Sequence, residues 1–265
     1  MSRYARAFAD LRRRGEGALV PFVTLGDPSF EQSKKILEAV ICAGADMLEV
    51  GLPFSDPIAD GPSIQAASAR ALEAGMTPPL AFELLQQVRE RHPDLPIGLL
   101  VYANLTLACG LEAFYRSAQA AGVDSVLVAD LPLEEAGPWL EAASQYGIDQ
   151  VFLVSLTTDA RRMEKIAAAS SGYVYLVAVL GVTGAREELQ QRTVDKLKAL
   201  RAATDKPICV GFGISQPRQM HALLSAGADG VVVGSALVDR IERNLSDHHA
   251  MLAEVKDFLA QFKFL

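Results

Sequence analysis

Short apolar runs recur along the chain, and the stretches between them repeat apolar residues every three or four positions. The runs are apolar throughout rather than at alternate positions, as in SVLVA from Ser125 and GVVVG from Gly230. Uninterrupted runs of this length are typical of parallel strands buried on both faces, and the longer periodicity predicts amphipathic helices. The predicted strands lie near 19–24, 47–51, 97–101, 125–129, 150–154, 173–178, 208–212 and 230–233.

A short signature marks the point where a predicted helix passes into the next strand. Each copy places Gly after a small or aromatic residue and Asp two positions later, directly before an apolar run. Gly accepts the left-handed conformation that closes a helix, so each copy predicts a helix-to-strand junction. The four copies are 43–46, 121–124, 146–149 and 226–229.

Eight strand–helix units in 265 residues predict a single α/β domain over 1–265, folded as a (β/α)8 TIM barrel. The alternative is a doubly wound open sheet, which more often has fewer strands and a Gly-x-Gly-x-x-Gly turn after the first. Here the first strand is followed by Leu25-Gly26-Asp27-Pro28, which lacks that pattern. Two extra helices are predicted: an amphipathic N-terminal helix over Arg3–Arg14, and one of the two helical patterns (63–74 and 78–91) that follow the second strand.

Charge and composition exclude some classes of partner. The net charge is −7 and the longest basic run is Arg12–Arg14, so a nucleic-acid partner is not expected, because phosphate-backbone affinity needs clustered cations. No apolar run reaches the roughly 18 residues of a membrane span. The three cysteines fit neither a metal knuckle nor a disulfide framework. We expect them to be buried small residues in a reduced compartment, the cytoplasm.

Glu49 is the strongest candidate for chemistry. It shares one face of its predicted strand with Met47 and Gly51, and both faces of a barrel strand are buried. Burial raises the pKa of a carboxyl group, which suits a general acid or base. The alternative is a structural Glu paired with Arg, but no Arg or Lys lies in any predicted strand.

Asp60 is a weaker candidate on local sequence alone. Ala59-Asp60-Gly61-Pro62 is a good helix-start signal in which Asp caps the helix and Pro occupies its first turn. The local pattern favours that cap. The position of Asp60 after the Glu49 strand favours function instead, since this loop can fold back over the mouth of the barrel.

The last two predicted strands end in glycine-rich turns, Gly211–Ser215 and Val233–Ala236. Backbone N–H groups in loops of this kind, together with a helix N-terminus, bind phosphate in many barrels. The alternative is two tight turns that need Gly for their geometry. The loop over 181–191 predicts either a mobile flap or an ordinary solvated connection.

Other chemistries lack their residues. All eight lysines and all four histidines fall in predicted helices, in the tail or at the bottom of the barrel. A Schiff-base mechanism and a histidine metal site are therefore not expected. What remains is carboxylate acid–base chemistry on a phosphorylated substrate. A set of apolar and aromatic residues at the barrel mouth would suit a planar aromatic group, although each is individually as well explained by core packing: Phe22, Leu100, Tyr102, Leu127, Tyr175 and Phe212.

Several motifs resemble one known family, the alpha subunit of tryptophan synthase. They are PFVTLGDP from Pro21, ADMLEVGLPFSDPIADGPSIQ from Ala45, GVDSVLVADLPLEE from Gly122, GVTGAR from Gly181, GFGIS from Gly211 and GADGVVVGSALV from Gly227. The resemblance implies a (β/α)8 barrel that cleaves indole-3-glycerol phosphate to indole and glyceraldehyde 3-phosphate in tryptophan biosynthesis. It also implies an α2β2 complex with a beta subunit, which would carry the pyridoxal phosphate, while this chain would need no cofactor or metal.

Roles follow from the resemblance residue by residue. Glu49 would protonate indole C3 and help deprotonate the glycerol hydroxyl, and Asp60 would accept the indole N–H. Phosphate would be bound by Gly184, Gly213, Gly234 and Ser235, while Thr183 and Ile64 join the mouth residues above as substrate-binding positions. The alternatives are a stand-alone indole-releasing lyase and a catalytically weak barrel kept as an allosteric partner of a beta subunit.

Overall fold

The computed structural model describes residues 1–178, 186–211 and 213–263, apart from the side chains of 186–190. Within them, parallel strands form one sheet in the order β5-β4-β3-β2-β1-β9-β8-β7-β6. The strands are β1 (Ala18–Thr24), β2 (Leu48–Gly51), β3 (Ile97–Val101), β4 (Ser125–Val128), β5 (Asp149–Val151), β6 (Leu153–Val154), β7 (Val174–Val177), β8 (Ile208–Gly211) and β9 (Gly230–Val233).

The two ends of this sheet order are consecutive in the chain, which closes the barrel. Only Phe152 separates β5 from β6, and its carbonyl accepts a hydrogen bond from the Tyr175 N–H at 3.1 Å. The strand predicted over 150–154 is therefore one barrel strand interrupted at a single residue. The (β/α)8 prediction is confirmed, and the open-sheet alternative is wrong.

Helices surround the barrel. They are α1 (Arg3–Arg14), α2 (Phe30–Cys42), α3 (Pro62–Glu73), α4 (Pro78–Arg91), α5 (Ala103–Cys109), α6 (Leu111–Ala120), α7 (Gly137–Gln145), α8 (Ala160–Ala169), α9 (Arg186–Ala203), α10 (Pro217–Ser225), α11 (Ser235–Arg243) and α12 (His248–Ala260), with a 3-10 turn at Leu133–Glu135. The predicted N-terminal helix α1 is present, and so are both helices predicted after the second strand, α3 and α4. The extra helix α5 was not predicted, because its seven residues are too few to establish a period before Gly110, at φ 78°, ends it.

Two apolar layers hold the barrel together. Alternate strand residues point inward, so Met47 belongs to the interior cluster while Leu48 and Val50 pack against the surrounding helices. Helix α1 closes the bottom of the barrel, since its Tyr4 and Phe8 are part of the interior cluster. The open end is consequently the one at the carboxyl ends of the strands.

The junction signature organises the bottom of the barrel. Its glycines have positive φ values between 64° and 108°. Three of its aspartates accept a hydrogen bond from the first N–H groups of a neighbouring strand and also pair with an arginine of α1. These sets are Asp46 with Leu19 and Arg14, Asp124 with Ile97 and Arg3, and Asp229 with Ile208 and Arg12. Ion pairs with the aspartates that precede the strands thus hold the basic N-terminal helix against the bottom of the barrel.

The expectation of three buried cysteines is wrong for two of them. Cys209 is buried inside the barrel, whereas Cys42 and Cys109 are exposed, because each is the last residue of a helix and lies on its solvent side. Among the helices that the structure describes, none combines the length and the apolar character needed to cross a bilayer.

Candidate active site

Glu49 lies inside the barrel with its carboxyl group almost removed from solvent. It is the second residue of β2, it pairs in register with Phe22 of β1 and Gly98 of β3, and it is 2% exposed. Burial is the main cause that raises its pKa from 4.5 to about 8; a hydrogen bond from Tyr173 opposes the rise, and the charge of Asp60 adds to it. Glu49 is therefore mainly protonated at neutral pH.

The partners of Glu49 come from distant parts of the chain. The Tyr173 hydroxyl donates to Glu49 Oε1 at 3.3 Å, and the Tyr173 ring packs on Tyr4 of α1 with 5.3 Å between ring centroids. The Tyr4 and Ser125 hydroxyls hydrogen-bond each other at 2.9 Å. A Cβ on Gly98 would lie 2.9 Å from the Tyr4 hydroxyl, so this glycine makes room for the hydroxyl cluster beneath the carboxyl group.

Asp60 lies at the rim of the same pocket, and the cap interpretation of it is wrong. The residue that caps α3 is Gly61, and no side chain caps that helix. The Asp60 carboxyl is half-buried, and desolvation raises its pKa above the ordinary value; a hydrogen bond from Tyr102 favours the charged form and offsets part of that rise. Its negative charge is close enough to Glu49 to raise the pKa of that carboxyl.

Tyr102 holds the loop that carries Asp60. Its hydroxyl accepts a hydrogen bond from the Ala59 N–H at 3.0 Å and stabilises the charged Asp60 carboxylate. On the other arm of the loop, Phe54 stacks on the Tyr102 ring with 5.2 Å between centroids. Tyr102 is buried at 2% exposure and orients the carboxylate rather than lining the pocket.

Backbone donors lie on the other side of the pocket. Gly213 has φ 80°, and α11 begins at Ser235 with Gly234 as its cap. The first N–H groups of a helix lack partners within the helix and carry the positive end of its dipole. No Lys or Arg lies among the described lining residues. An anion bound here would be held by backbone N–H groups and the Ser235 hydroxyl.

The structure brings together most of the residues that the sequence proposed. The described residues that line the pocket are Phe22, Glu49, Asp60, Gly61, Ile64, Leu100, Tyr175, Gly213, Val232, Gly234 and Ser235. Leu127 lies in the barrel interior but not on the pocket surface. Thr183, Gly184 and Phe212 lie outside the described residues, as does the predicted flap over 181–185; its remainder, 186–191, is helical and begins α9, so the loop prediction is wrong there.

The lysines and histidines that a Schiff-base mechanism or a histidine metal site would need do not lie at the barrel mouth. Every lysine side chain lies on a helix, in the tail or, for Lys206, below β8, where its Nζ donates to the carbonyls of residues 167, 168 and 170. The histidines lie on α10, on α12 or at the end of α4. Among the described lining residues, two carboxyl groups and a set of backbone donors are available to a substrate.

Comparison with known proteins identifies the family. The family model described as tryptophan synthase alpha chain matches residues 8–264. The chain belongs to the tryptophan synthase alpha chain family. Members of this family cleave indole-3-glycerol phosphate to indole and glyceraldehyde 3-phosphate in tryptophan biosynthesis.

Individual relatives extend over nearly the whole chain. A tryptophan synthase alpha chain of Photobacterium profundum is 47% identical over 263 residues, covering 99% of this chain and 98% of the relative. The tryptophan synthase alpha subunit of Legionella pneumophila has a TM-score of 0.89 at 31% identity, covering 99% and 97% of the two chains. A structure of the Pyrococcus furiosus tryptophan synthase a2b2 complex has a TM-score of 0.87 at 38% identity, with 94% and 98% covered.

Sequence reasoning missed the residues that surround Glu49. Tyr173 lies two positions before Tyr175, and residues two apart in a strand share a face, so this spacing was a usable signal. No comparable signal exists for Tyr4, because its place beside the active site depends on how α1 docks. Gly61 and Val232 also line the pocket without having been predicted.

Proposed function

We propose that Glu49 and Asp60 cleave indole-3-glycerol phosphate in this pocket by acid–base catalysis. The observation that supports this most directly is that two carboxyl groups share one pocket in contrasting environments. Glu49 is fully enclosed and holds its proton at neutral pH, whereas Asp60 lies at the rim and is stabilised in its charged form by Tyr102. Unequal burial of two neighbouring carboxyl groups lets one site supply both a proton donor and an anion to the same reaction.

The proposed reaction is balanced in protons. Neutral Glu49 donates its proton to indole C3, and the positive charge that develops on the ring is stabilised by Asp60, which accepts the indole N–H. The Glu49 carboxylate then takes the proton of the hydroxyl next to the ring as the carbon–carbon bond breaks. The products are indole and an aldehyde, and Glu49 recovers the proton that it gave.

The rest of the substrate would extend from the apolar wall to the backbone donors. Phe22, Ile64, Leu100 and Tyr175 supply a flat apolar surface for the indole ring. Gly213, Gly234 and Ser235 would bind the phosphate at the start of α11, together with Gly184 and Thr183, which precede α9 in the chain. This assignment needs neither a metal nor a cofactor on this chain.

The partner that we propose is a tryptophan synthase beta subunit in an α2β2 complex, with pyridoxal phosphate bound only by that subunit and the complex located in the cytoplasm. The related Pyrococcus furiosus structure is of an a2b2 complex. On this chain, the loop between Glu49 and Asp60 presents Ile58, which is 82% exposed, and the neighbouring α5 presents Leu107 at 52%. Large apolar side chains exposed to solvent in this way suit a protein interface.

Indole release from indole-3-glycerol phosphate tests the proposal. The purified chain should release indole and glyceraldehyde 3-phosphate in equal amounts, with a higher rate when the beta subunit is added. Glu49→Gln should abolish release, while Glu134→Gln, on the exposed turn at Leu133–Glu135, serves as the matched control. Turnover retained by Glu49→Gln would refute the assignment of the acid.

The two alternatives give different results in the same assay. A stand-alone lyase would release indole equally fast with and without the beta subunit. An allosteric partner without its own chemistry would accelerate the beta subunit while producing no indole. The two carboxyl groups in the pocket favour a lyase that works in a complex over an allosteric partner without its own chemistry.

A further inference from the structure

Three elements that build the pocket meet in one ionic cluster outside it. Arg70 of α3 binds Asp27, in the loop after β1, through Nε at 2.7 Å and Nη2 at 2.9 Å. Its remaining nitrogen, Nη1, donates to Glu242 of α11 at 3.0 Å. A single guanidinium group therefore joins β1, α3 and α11.

The cluster is arranged so that only an arginine can make all of its contacts. The guanidinium fork supplies two parallel N–H groups to one carboxylate and a third direction to the other, which the point charge of a lysine cannot reproduce. Asp27 is 2% exposed, the Arg70 side chain 18% and the Glu242 side chain 45%. Because desolvation offsets much of the attraction in such a cluster, stability alone is a weak reason for it.

Both helices in the cluster begin at the pocket. Gly61 and Ile64, at the start of α3, line the side next to Asp60, and Gly234 and Ser235, at the start of α11, line the proposed phosphate side. Glu242 follows Ser235 by seven residues, two helical turns, and so lies on the same face of α11. Arg70 follows Ile64 by nearly two turns. The ionic cluster thus joins the two helices about 10 Å behind the pocket.

We propose that Arg70 is a positioning residue, which sets the separation of α3 from α11 and thereby the spacing between the indole side of the pocket and its phosphate side. This inference rests on the proposed function, since it matters only for a substrate that contacts both sides at once. Loosening the cluster would weaken binding of such a substrate more than it would slow the chemical step. Indole alone, which contacts one side, would bind nearly as before.

Three variants separate this role from simple stabilisation. Glu242→Gln removes the charge of the most exposed member, so the protein should fold and keep its melting temperature. Arg70→Lys retains a cation beside Asp27 but cannot bridge both carboxylates. Arg201→Lys is the matched control: Arg201 binds Asp229 at 2.5 Å at the bottom of the barrel, away from the pocket.

The measurements are kcat and KM for indole-3-glycerol phosphate, the melting temperature, and the affinity for indole. For Glu242→Gln we expect a rise in KM of about threefold, and for Arg70→Lys a rise of about tenfold, with kcat changed by less than about threefold in both. Indole affinity should not change. Arg201→Lys should lower the melting temperature without changing KM.

Two outcomes would overturn the inference. One is an unchanged KM in both Glu242→Gln and Arg70→Lys, and the other is an equal rise in the Arg201→Lys control. Failure of the proposed function gives a different result, because wild-type enzyme would then release no indole. In that case, equilibrium binding of indole-3-glycerol phosphate to the same variants decides the role of Arg70, and equal affinities would refute it.

Discussion

Replacing Glu49 by Gln should stabilise the protein relative to wild type, and this difference should grow as the pH rises. The folded state holds the Glu49 proton more tightly than the unfolded chain does, because burial raises the pKa from 4.5 to about 8. Stability is therefore greatest below pH 4.5 and is lost as the pH rises through about 8. The rate of loss is about 1.4 kcal/mol per pH unit, and the total is about 5 kcal/mol. At pH 7 the wild-type protein has already lost about 3 kcal/mol, a cost that the neutral amide does not carry.

Urea denaturation from pH 5 to pH 9, followed by circular dichroism, measures this effect. We expect the difference in unfolding free energy between Glu49→Gln and wild type to rise by about 1.4 kcal/mol per pH unit up to about pH 8 and then to level off. The slope is the test, because the amide also changes the hydrogen bond with Tyr173 by an amount that does not depend on pH.

Glu134→Gln provides a control of opposite sign. Hydrogen bonding to its own backbone N–H and to Arg162 lowers the pKa of Glu134, so its charged form contributes stability above its ordinary pKa, and that contribution is lost as the pH falls. This variant should therefore gain no stability as the pH rises. A flat difference for Glu49→Gln over the same range would refute the conclusion that Glu49 is a buried, protonated acid.

Three further predictions concern activity. In wild-type enzyme, kcat/KM should fall above about pH 8, because Glu49 there loses the proton that the first step needs. Initial rates from pH 6 to 10 would show this fall, and a level profile would contradict it. Asp60→Asn should lower kcat by about a hundredfold and leave the melting temperature almost unchanged, because Asp60 caps no helix; the reverse pattern, measured by kinetics and calorimetry, would restore the cap interpretation. Tyr102→Phe keeps the ring but removes the hydroxyl that holds the Asp60 loop. We expect kcat to fall by about tenfold and a crystal structure of the variant to show that loop displaced. Full activity would refute the positioning role.

The ionic cluster around Arg70 and the contacts of Tyr102 suggest that this pocket is held from behind by polar groups that never touch the substrate. Tyr102 orients one carboxylate, and Arg70 joins the helices that begin on either side of the pocket. Such supporting contacts matter because a displacement of about 1 Å at a reacting group can reduce the rate severely. Variants at these positions should therefore lose function before they lose stability.

The barrel fold and the burial of Glu49 can be predicted from the amino-acid sequence. Both rest on local patterns: uninterrupted apolar runs require strands covered on two faces, and a carboxylate within such a strand has to be buried. The helix-to-strand junctions could be predicted as well, because a helix end with positive φ favours Gly whatever the rest of the fold. The motif around Glu49 and Asp60 was also sufficient to indicate the family.

The pairing of the polar groups, by contrast, follows only from the three-dimensional fold. Local sequence favoured Asp60 as a helix cap, and the fold instead gives the cap to Gly61 and places Asp60 at the pocket rim beside Tyr102. The Glu49 partner Tyr173 is 124 positions away in the chain, and Arg70 and Glu242 are separated by 172. Periodicity reports whether a side chain is buried, but not which distant side chain it meets, because that depends on how the strands close and where the helices dock.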